Sequence, residues 1–205
     1  MKTLNKLSFI LLVSLLLIPF SGKAQDKNMY FNGDWQFNIP TGNDFTNRGS
    51  GWGMNFDLGT YVTPNIGVGV FMAFSTNHKY IPAETILSGT SSLTVSQQRS
   101  LFQLPFGVEA RYRFMPDGMF DPYLGLRLGA NYAKLTSYFS AYEAHDKTWG
   151  FYLSPEIGTN VWVSPNKKVA AHVALYYSFA TNKGSVLNGS IHNLNNIGFR
   201  LGLAF

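Results

Sequence analysis

Eight segments of the chain alternate large apolar residues with small or polar ones, and this repeat constrains the fold more than any other feature. In the last segment, five large apolar residues from Ile197 to Phe205 share one face, while Arg200 lies among glycines on the other. Because successive side chains of a strand point to opposite sides, each segment predicts a β-strand with one apolar face. The segments are 34–39, 52–62, 66–74, 102–114, 123–132, 149–163, 169–179 and 195–205.

The connections between these segments alternate between short and long. The three short, turn-like links are residues 63–65, 115–121 and 164–168. The four longer links are polar, and they are residues 40–50, 77–98, 136–147 and 182–195. Short turns at one end and long loops at the other are typical of transmembrane barrels with an even number of strands. We therefore predict an all-β fold, an eight-stranded antiparallel up-and-down transmembrane β-barrel.

The N-terminus has the features of a cleaved signal peptide. Lys2 and Lys6 precede an apolar run at 7–20, and Gly22 and Ala24 supply the small residues of a cleavage site. The apolar run is shorter than the roughly 20 residues that a membrane-spanning helix needs. We predict a signal peptide at 1–24 and one barrel domain at 25–205.

Composition excludes several classes of protein. Removing Lys2, Lys6 and Lys23 with the signal peptide lowers the 16 basic residues to 13, against 11 acidic ones, so nucleic-acid binding is not expected. The chain contains no cysteine, which rules out a disulfide-stapled exported domain. Charged residues make up only 13% of the chain, where about 25% is typical of soluble domains.

The position of the charges decides which face of the strands meets the surroundings. Glu109, Arg111, Arg127, Glu156 and Arg200 fall in mid-strand, and all of them lie on the face with small residues. A soluble eight-stranded barrel would place its apolar residues inside. An arginine facing lipid at mid-depth costs about 2–4 kcal/mol. The large apolar residues are therefore predicted to face lipid, and the charged residues to face the lumen.

Buried charges are stable only when they are paired, so the inward charges predict an ion-pair network. Glu109 and Arg127 are each nine residues from Gly118, which places them opposite each other if the turn is centred there. Glu156 on the next strand can share Arg127. We also expect Arg200 to meet Asp34 where the last strand closes on the first. The predicted lumen network is Asp34, Glu109, Arg111, Arg127, Glu156 and Arg200.

With these features the chain resembles the gram-negative outer-membrane β-barrel (porin-like) domain family, and it is similar in architecture to the membrane domain of outer-membrane protein A. The resemblance covers residues 25–205, and its most specific element is a last strand that finishes on Phe205. It implies an outer-membrane location and a role for Phe205 as the signal that the barrel-assembly machinery reads. It also implies contact with outer-membrane lipid and lipopolysaccharide, and with an unidentified extracellular partner through the loops.

The sequence has no strong signature of catalysis, metal binding or cofactor binding, and we predict none of the three. His78, His145 and His192 fall in predicted loops and His172 faces the lumen, without metal-ligand spacing between them. The sequence around Ser178 and Asn182 lacks the His-x-Ser-Asn arrangement of lipid A deacylases. Without a base beside it, Ser178 is not an activated nucleophile.

Three functions are compatible with the sequence. The first is a structural or surface-interaction role through the extracellular loops, with a lumen filled by polar side chains. The second is a narrow pore for small solutes, which is disfavoured because side chains fill the interior of a barrel of about eight strands. The third, less favoured, is an enzyme that modifies lipid A.

Overall fold

The computed structural model describes residues 28–42, 45–88, 91–116, 118–139, 142–163, 168–186 and 189–205. The predicted signal peptide lies outside these residues. The described parts of the chain contain no helix that is long and apolar enough to cross a membrane. The strands are β1 (Met29–Thr41), β2 (Gly53–Tyr61), β3 (Ile66–Ser88), β4 (Ser91–Arg113), β5 (Phe120–Phe139), β6 (Tyr142–Trp162), β7 (Ala170–Ala180), β8 (Gly184–Val186), β9 (Gly189–Ile191) and β10 (Leu194–Ala204).

Eight of these strands form a closed antiparallel barrel in the order β1-β10-β7-β6-β5-β4-β3-β2. Every neighbour is the next barrel strand in the chain, and β10 closes the ring by pairing with β1. Phe205 extends this closure, because its N–H donates to the Phe31 carbonyl at 2.8 Å and its carbonyl accepts from the Phe31 N–H at 3.0 Å. The predicted fold class is confirmed, and closure leaves the barrel without a free sheet edge in the membrane.

Two of the predicted long loops are wrong, because the strands continue through them. β3 and β4 are each 23 residues long and remain paired from Ile66 opposite Tyr112 to Ser88 opposite Ser91. β5 and β6 remain paired as far as Phe139 opposite Tyr142. A strand that spans a membrane needs only about 9–11 residues. A strand needs an apolar residue at every second position only where one of its faces meets lipid or a core. The serine- and threonine-rich sequence of β3 and β4 lacks this alternation because this part of the sheet lies outside the lipid.

The side chains alternate between the two sides of the barrel wall as predicted. Large apolar residues on the outer side are well exposed, for example Val70, Leu175 and Ile157 at 53–60%. Arg127 and Arg200 on the inner side are 1% and 0% exposed. This is the reverse of a soluble domain, in which exposed apolar area is scattered. The continuous apolar outer surface matches a hydrocarbon surrounding.

Glycines allow two strands to approach unusually closely in the barrel wall. Gly107 of β4 lies opposite Gly129 of β5. A methyl group on Gly129 would fall 2.0 Å from the Phe106 carbonyl oxygen, and one on Gly107 would fall 2.1 Å from that of Leu128. Only glycine fits at this pair, which leaves the lumen beside it open to longer side chains.

Candidate functional site

The lumen near the short-turn end is organised around Arg127. Its guanidinium lies 2.8 Å from an Asp57 carboxylate oxygen, 3.3 Å from Glu109 and 3.3 Å from Glu156. It also donates to the Asn55 side-chain oxygen at 2.7 Å. Glu109 is directly opposite Arg127 in the β4–β5 register, the position that the sequence predicts. The structure therefore brings Arg127 into contact with acids from β2, β4 and β6.

Two further arginines extend this network around the lumen. Arg111 donates to Glu109 at 2.9 Å and lies 3.4 Å from Asp57. Arg200 is paired with Glu156 and donates through Nε to the Gln36 side-chain oxygen at 3.0 Å. All three arginine side chains are about 1% exposed. Because each one contacts a carboxylate, none of these buried guanidinium groups is left without a counter-charge.

Arg200 is placed against Glu156, so the predicted pairing of Arg200 with Asp34 is wrong. In the β1–β10 register Gln36 lies opposite Arg200, and Asp34 lies opposite Gly202. Asp34 instead contacts His172 Nδ1 at 2.6 Å. The register at which the first and last strands close depends on barrel shear, which no local turn in the sequence fixes.

His172 joins the network through both of its ring nitrogens. Its Nε2 lies 2.7 Å from the Tyr123 hydroxyl, which donates to Glu156 at 2.5 Å. Its Nδ1 lies 2.6 Å from Asp34, whose ionised carboxylate accepts from the ring N–H. His172 therefore links Asp34 to Tyr123 and Glu156, a contact that the sequence did not predict.

The network contains four carboxylates, three guanidinium groups and the imidazole of His172. Contacts between opposite charges are what a water-excluded interior favours, since an unpaired buried charge costs several kcal/mol. Asp57 was absent from the predicted network, although the alternation in β2 places it on the inner face. The eight groups, which we call the lumen charge network, are Asp34, Asp57, Glu109, Glu156, Arg111, Arg127, Arg200 and His172.

A layer of amide side chains lies above the lumen charge network, towards the end of the long hairpins. Asn38 Nδ2 donates to Asn77 at 2.9 Å, and Asn196 Nδ2 donates to Gln103 at 3.3 Å. Asn131 Nδ2 donates to Asn182 at 2.9 Å. These amides are all at most 6% exposed. They fill the middle of the lumen with neutral hydrogen-bonding groups from β1, β3, β4, β5 and β10.

An apolar cluster closes the lumen at the same end. Segments that the sequence assigns to polar loops fold back over the opening and bury their few apolar side chains against the inner faces of β4 and β5. We call this cluster the apolar cap. It consists of Phe45, Leu101, Leu135, Val186, Ile191 and Leu194, each at most 4% exposed. The only sequence signal for it is the presence of isolated apolar residues in otherwise polar links.

Beyond the barrel, β3 to β6 continue as a four-stranded sheet that projects past the other strands. We call residues 78–83, 96–100, 136–138 and 142–145 of this sheet the projecting wall. β3 and β4 exceed the length needed to span a membrane by roughly 12 residues, or about 40 Å along the strand. On its outer face Tyr80 pairs with Gln98, and Gln98 pairs with Tyr138. The two tyrosines are 61% and 45% exposed.

The candidate catalytic and metal-binding residues weighed in the sequence lie apart from one another. Ser178 is 2% exposed inside the barrel and accepts a hydrogen bond from Asn196 at 3.4 Å. His145 lies on the outer face, 3.7 Å from Glu143. Within the described residues there is no group of three or more histidines and acids placed to hold a metal ion. Asn43 and Asp44 of the first polar link carry side-chain oxygens of the kind that bind cations, but they lie outside those residues.

Comparison with known proteins places this architecture in a family. The chain matches the model of the outer membrane protein beta-barrel domain over residues 8–205. Among curated proteins, no relative matches.

Three solved structures illustrate the likeness. Neisserial surface protein A is similar with a TM-score of 0.58 and 16% identity, covering 86% of this chain and 95% of that one. OprG from Pseudomonas aeruginosa has a TM-score of 0.49 and 15% identity, covering 86% and 94%. The protease OmpT from Escherichia coli has a TM-score of 0.44 and 12% identity, covering 75% and 62%.

At these identities the structural likeness to Neisserial surface protein A shows the fold alone. The family match covers nearly the whole chain, and the apolar outer surface and paired inner charges agree with it. The chain therefore belongs to the outer membrane protein beta-barrel domain family and is an integral protein of the outer membrane.

Proposed function

We propose that this protein is a non-conducting barrel that binds a protein partner at the cell surface through the projecting wall. The observation that carries the proposal is the combination of a lumen filled at three levels with a sheet that extends far outside the membrane. The filled lumen removes a path through the barrel, whereas the wall presents an ordered surface to the exterior.

The lumen charge network, the amide layer and the apolar cap each block the interior at a different depth. Water and ions cross a barrel only where its polar interior is open, as in barrels with many more strands. Opening this lumen would separate buried ion pairs such as Arg127 with Asp57, at 2.8 Å. The narrow-pore alternative is therefore disfavoured.

An enzyme that modifies lipid A needs a nucleophile or base at the outer lipid-facing edge of the barrel. Ser178 faces the lumen, where Asn196 is its hydrogen-bond donor. Ser190 and His192 are exposed on either side of Ile191, which is buried in the apolar cap. They therefore lie at the opening of the lumen and not at the lipid-facing edge. The described serines and histidines therefore support a binding role better than a catalytic one.

The outer face of the projecting wall has the composition of a protein-binding surface. Tyr80 and Tyr138 flank Gln98, so two aromatic rings lie on either side of one neutral amide. Tyrosine supplies a large contact area with few rotatable bonds, and it is enriched in interfaces for that reason. Below this row lies the small, partly exposed side chain of Ser100. A protein surface of mixed polarity fits this face.

Conductance separates the binding role from the pore. We expect the purified barrel in a planar lipid bilayer to give no current steps above the baseline between pH 5 and pH 8. The reason is that current requires a continuous water path, which three layers of packed side chains exclude. Stable single-channel steps from monomeric protein, absent from a preparation heated to unfold it, would contradict the proposal.

Binding by the wall can be tested with defined probes. Barrel protein in lipid nanodiscs is passed over an array of purified extracellular proteins, including a second copy of this chain. At least one bait should bind, and Tyr80→Ser with Tyr138→Ser should weaken it by about tenfold or more, as expected for loss of aromatic hot spots. Tyr112→Ser, an exposed aromatic change at the short-turn end, is the matched control and should have no effect. Equal binding by the two variants would locate the site elsewhere.

A further inference from the structure

Two lysines lie directly opposite each other on the outer face of the barrel. Lys134 of β5 pairs with Lys147 of β6 in the strand register. One step towards the membrane, Tyr132 pairs with Trp149, and their ring centroids are 5.1 Å apart. Like charges in directly opposite positions destabilise a strand pair. The pair is therefore unfavourable unless another group supplies negative charge beside it.

A third lysine runs alongside the same part of β6. The Thr181 N–H donates to the Phe151 carbonyl at 3.0 Å, and the Ser185 N–H donates to Asp146 at 3.1 Å. Lys183 lies between these two anchored residues and is exposed. The segment therefore holds Lys183 beside β6, near Trp149. We call Lys134, Lys147 and Lys183 the lysine cluster.

Neighbouring acids do not neutralise this cluster. Glu143 lies 3.6 Å from the Lys134 ammonium group, and it also lies 3.7 Å from His145. Asp146 accepts from the backbone N–H groups of Lys147 and Ser185. Two carboxylates thus stand near three lysines and a histidine, so the cluster keeps an excess of positive charge on its outer side.

The lysine cluster lies at the outer edge of the apolar belt. Below it on β5 the outward residues are Tyr132, Ala130 and Leu128, which face lipid. On other strands the outward residues at the end of the belt are uncharged: Thr41, Thr76 and Asn195. Aromatic residues such as Trp149 concentrate at the membrane–water interface. Among the outward strand residues compared at this depth, the positive charge thus lies on β5 and β6.

We propose that the lysine cluster binds a phosphate group of lipid A in the outer leaflet, with Trp149 and Tyr132 packing beneath it. Ammonium groups bind phosphate as point charges, and a membrane-facing site at headgroup depth meets phosphate attached to lipid before it meets any free in solution. The bound phosphate would supply the negative charge that the opposed lysines lack. Binding here is independent of the tyrosines of the projecting wall.

The test measures binding of lipid A by native mass spectrometry of the full barrel released from detergent micelles. The wild type should retain diphosphorylated lipid A and bind the fully dephosphorylated form much more weakly. Lys134→Gln with Lys147→Gln should weaken binding of the phosphorylated form by about thirtyfold, because each lysine near a membrane surface contributes about a factor of five. Lys134→Arg with Lys147→Arg should retain binding, since both charges remain.

The control is Lys168→Gln, which removes the same charge from an exposed position at the short-turn end. It should bind phosphorylated lipid A as the wild type does. Equal retention of lipid A by the double glutamine variant would overturn the proposal, and so would equal binding of the dephosphorylated form. Full displacement by millimolar inorganic phosphate would also overturn it, by showing an anion site without preference for lipid.

Discussion

Replacing Arg127 with Met should lower the free energy of unfolding by about 3–5 kcal/mol, the usual cost of removing one partner from a buried ion pair. Methionine keeps most of the side-chain volume but leaves Asp57, Glu109 and Glu156 without their shared cation. The measurement is a urea titration of barrel refolded in phosphatidylcholine vesicles, followed by tryptophan fluorescence. A typical folded protein has only about 5–15 kcal/mol of stability in total, so a fraction of the variant should fail to refold.

Two companion variants keep this prediction testable. Lys134→Met breaks the surface ion pair between Lys134 and Glu143, whose side chains are 36% and 42% exposed. This change should lower the free energy of unfolding by less than about 1 kcal/mol. Arg127→Met combined with Asp57→Asn removes one charge of each sign and should recover part of the loss. If Arg127→Met alone costs no more than Lys134→Met, the lumen charge network does not stabilise the barrel.

Replacing Leu126 with Arg should destabilise the barrel by about 2–4 kcal/mol, the cost of an arginine facing lipid near mid-depth. Leu126 precedes Arg127 in the chain, points outward and is 44% exposed. Two successive residues of β5 thus have opposite requirements. The lumen side needs the guanidinium of Arg127, whereas the lipid side at Leu126 disfavours one. The same urea titration measures the effect.

Depth provides the matched control for this variant. Phe120 begins β5 at the short-turn end, faces outward and is 59% exposed. Phe120→Arg places the same charge near the interface, where an arginine costs about 0–1 kcal/mol. Equal losses at the two positions would show that the outer face of β5 does not span hydrocarbon.

The sequence predicted most of the barrel because alternation is a local property. A charge such as Arg127, set between Leu126 and Leu128, can be assigned to the inner face without any knowledge of the neighbouring strands. A short turn fixes the register of the two strands that it joins, and the predicted position of Glu109 opposite Arg127 follows from that rule. The strand count and the orientation of both faces follow in the same way.

Prediction failed where contacts join parts of the chain that no short turn connects. Asp34 and Arg200 are on strands that meet only where the barrel closes. In the observed register Asp34 lies opposite Gly202, and a shift of two residues would place Arg200 there instead. His172 reaches Asp34 over Gly202 of β10, the strand between them, although 138 residues separate the two in the chain. The projecting wall was missed for a different reason. Its hairpins leave the membrane, so their sequence loses the apolar alternation by which a strand is recognised.

The sequence by itself determined the barrel, its number of membrane strands and the face that meets lipid, because each follows from residues within a few positions of one another. Only the tertiary structure decided which acid neutralises Arg200, how Phe45 helps to close the lumen and where Lys134 meets Lys147. These features depend on closure of the ring and on the length of paired strands outside the membrane. The physical reason is that shear and pairing beyond the lipid bring together side chains whose separation in the sequence carries no periodic signal.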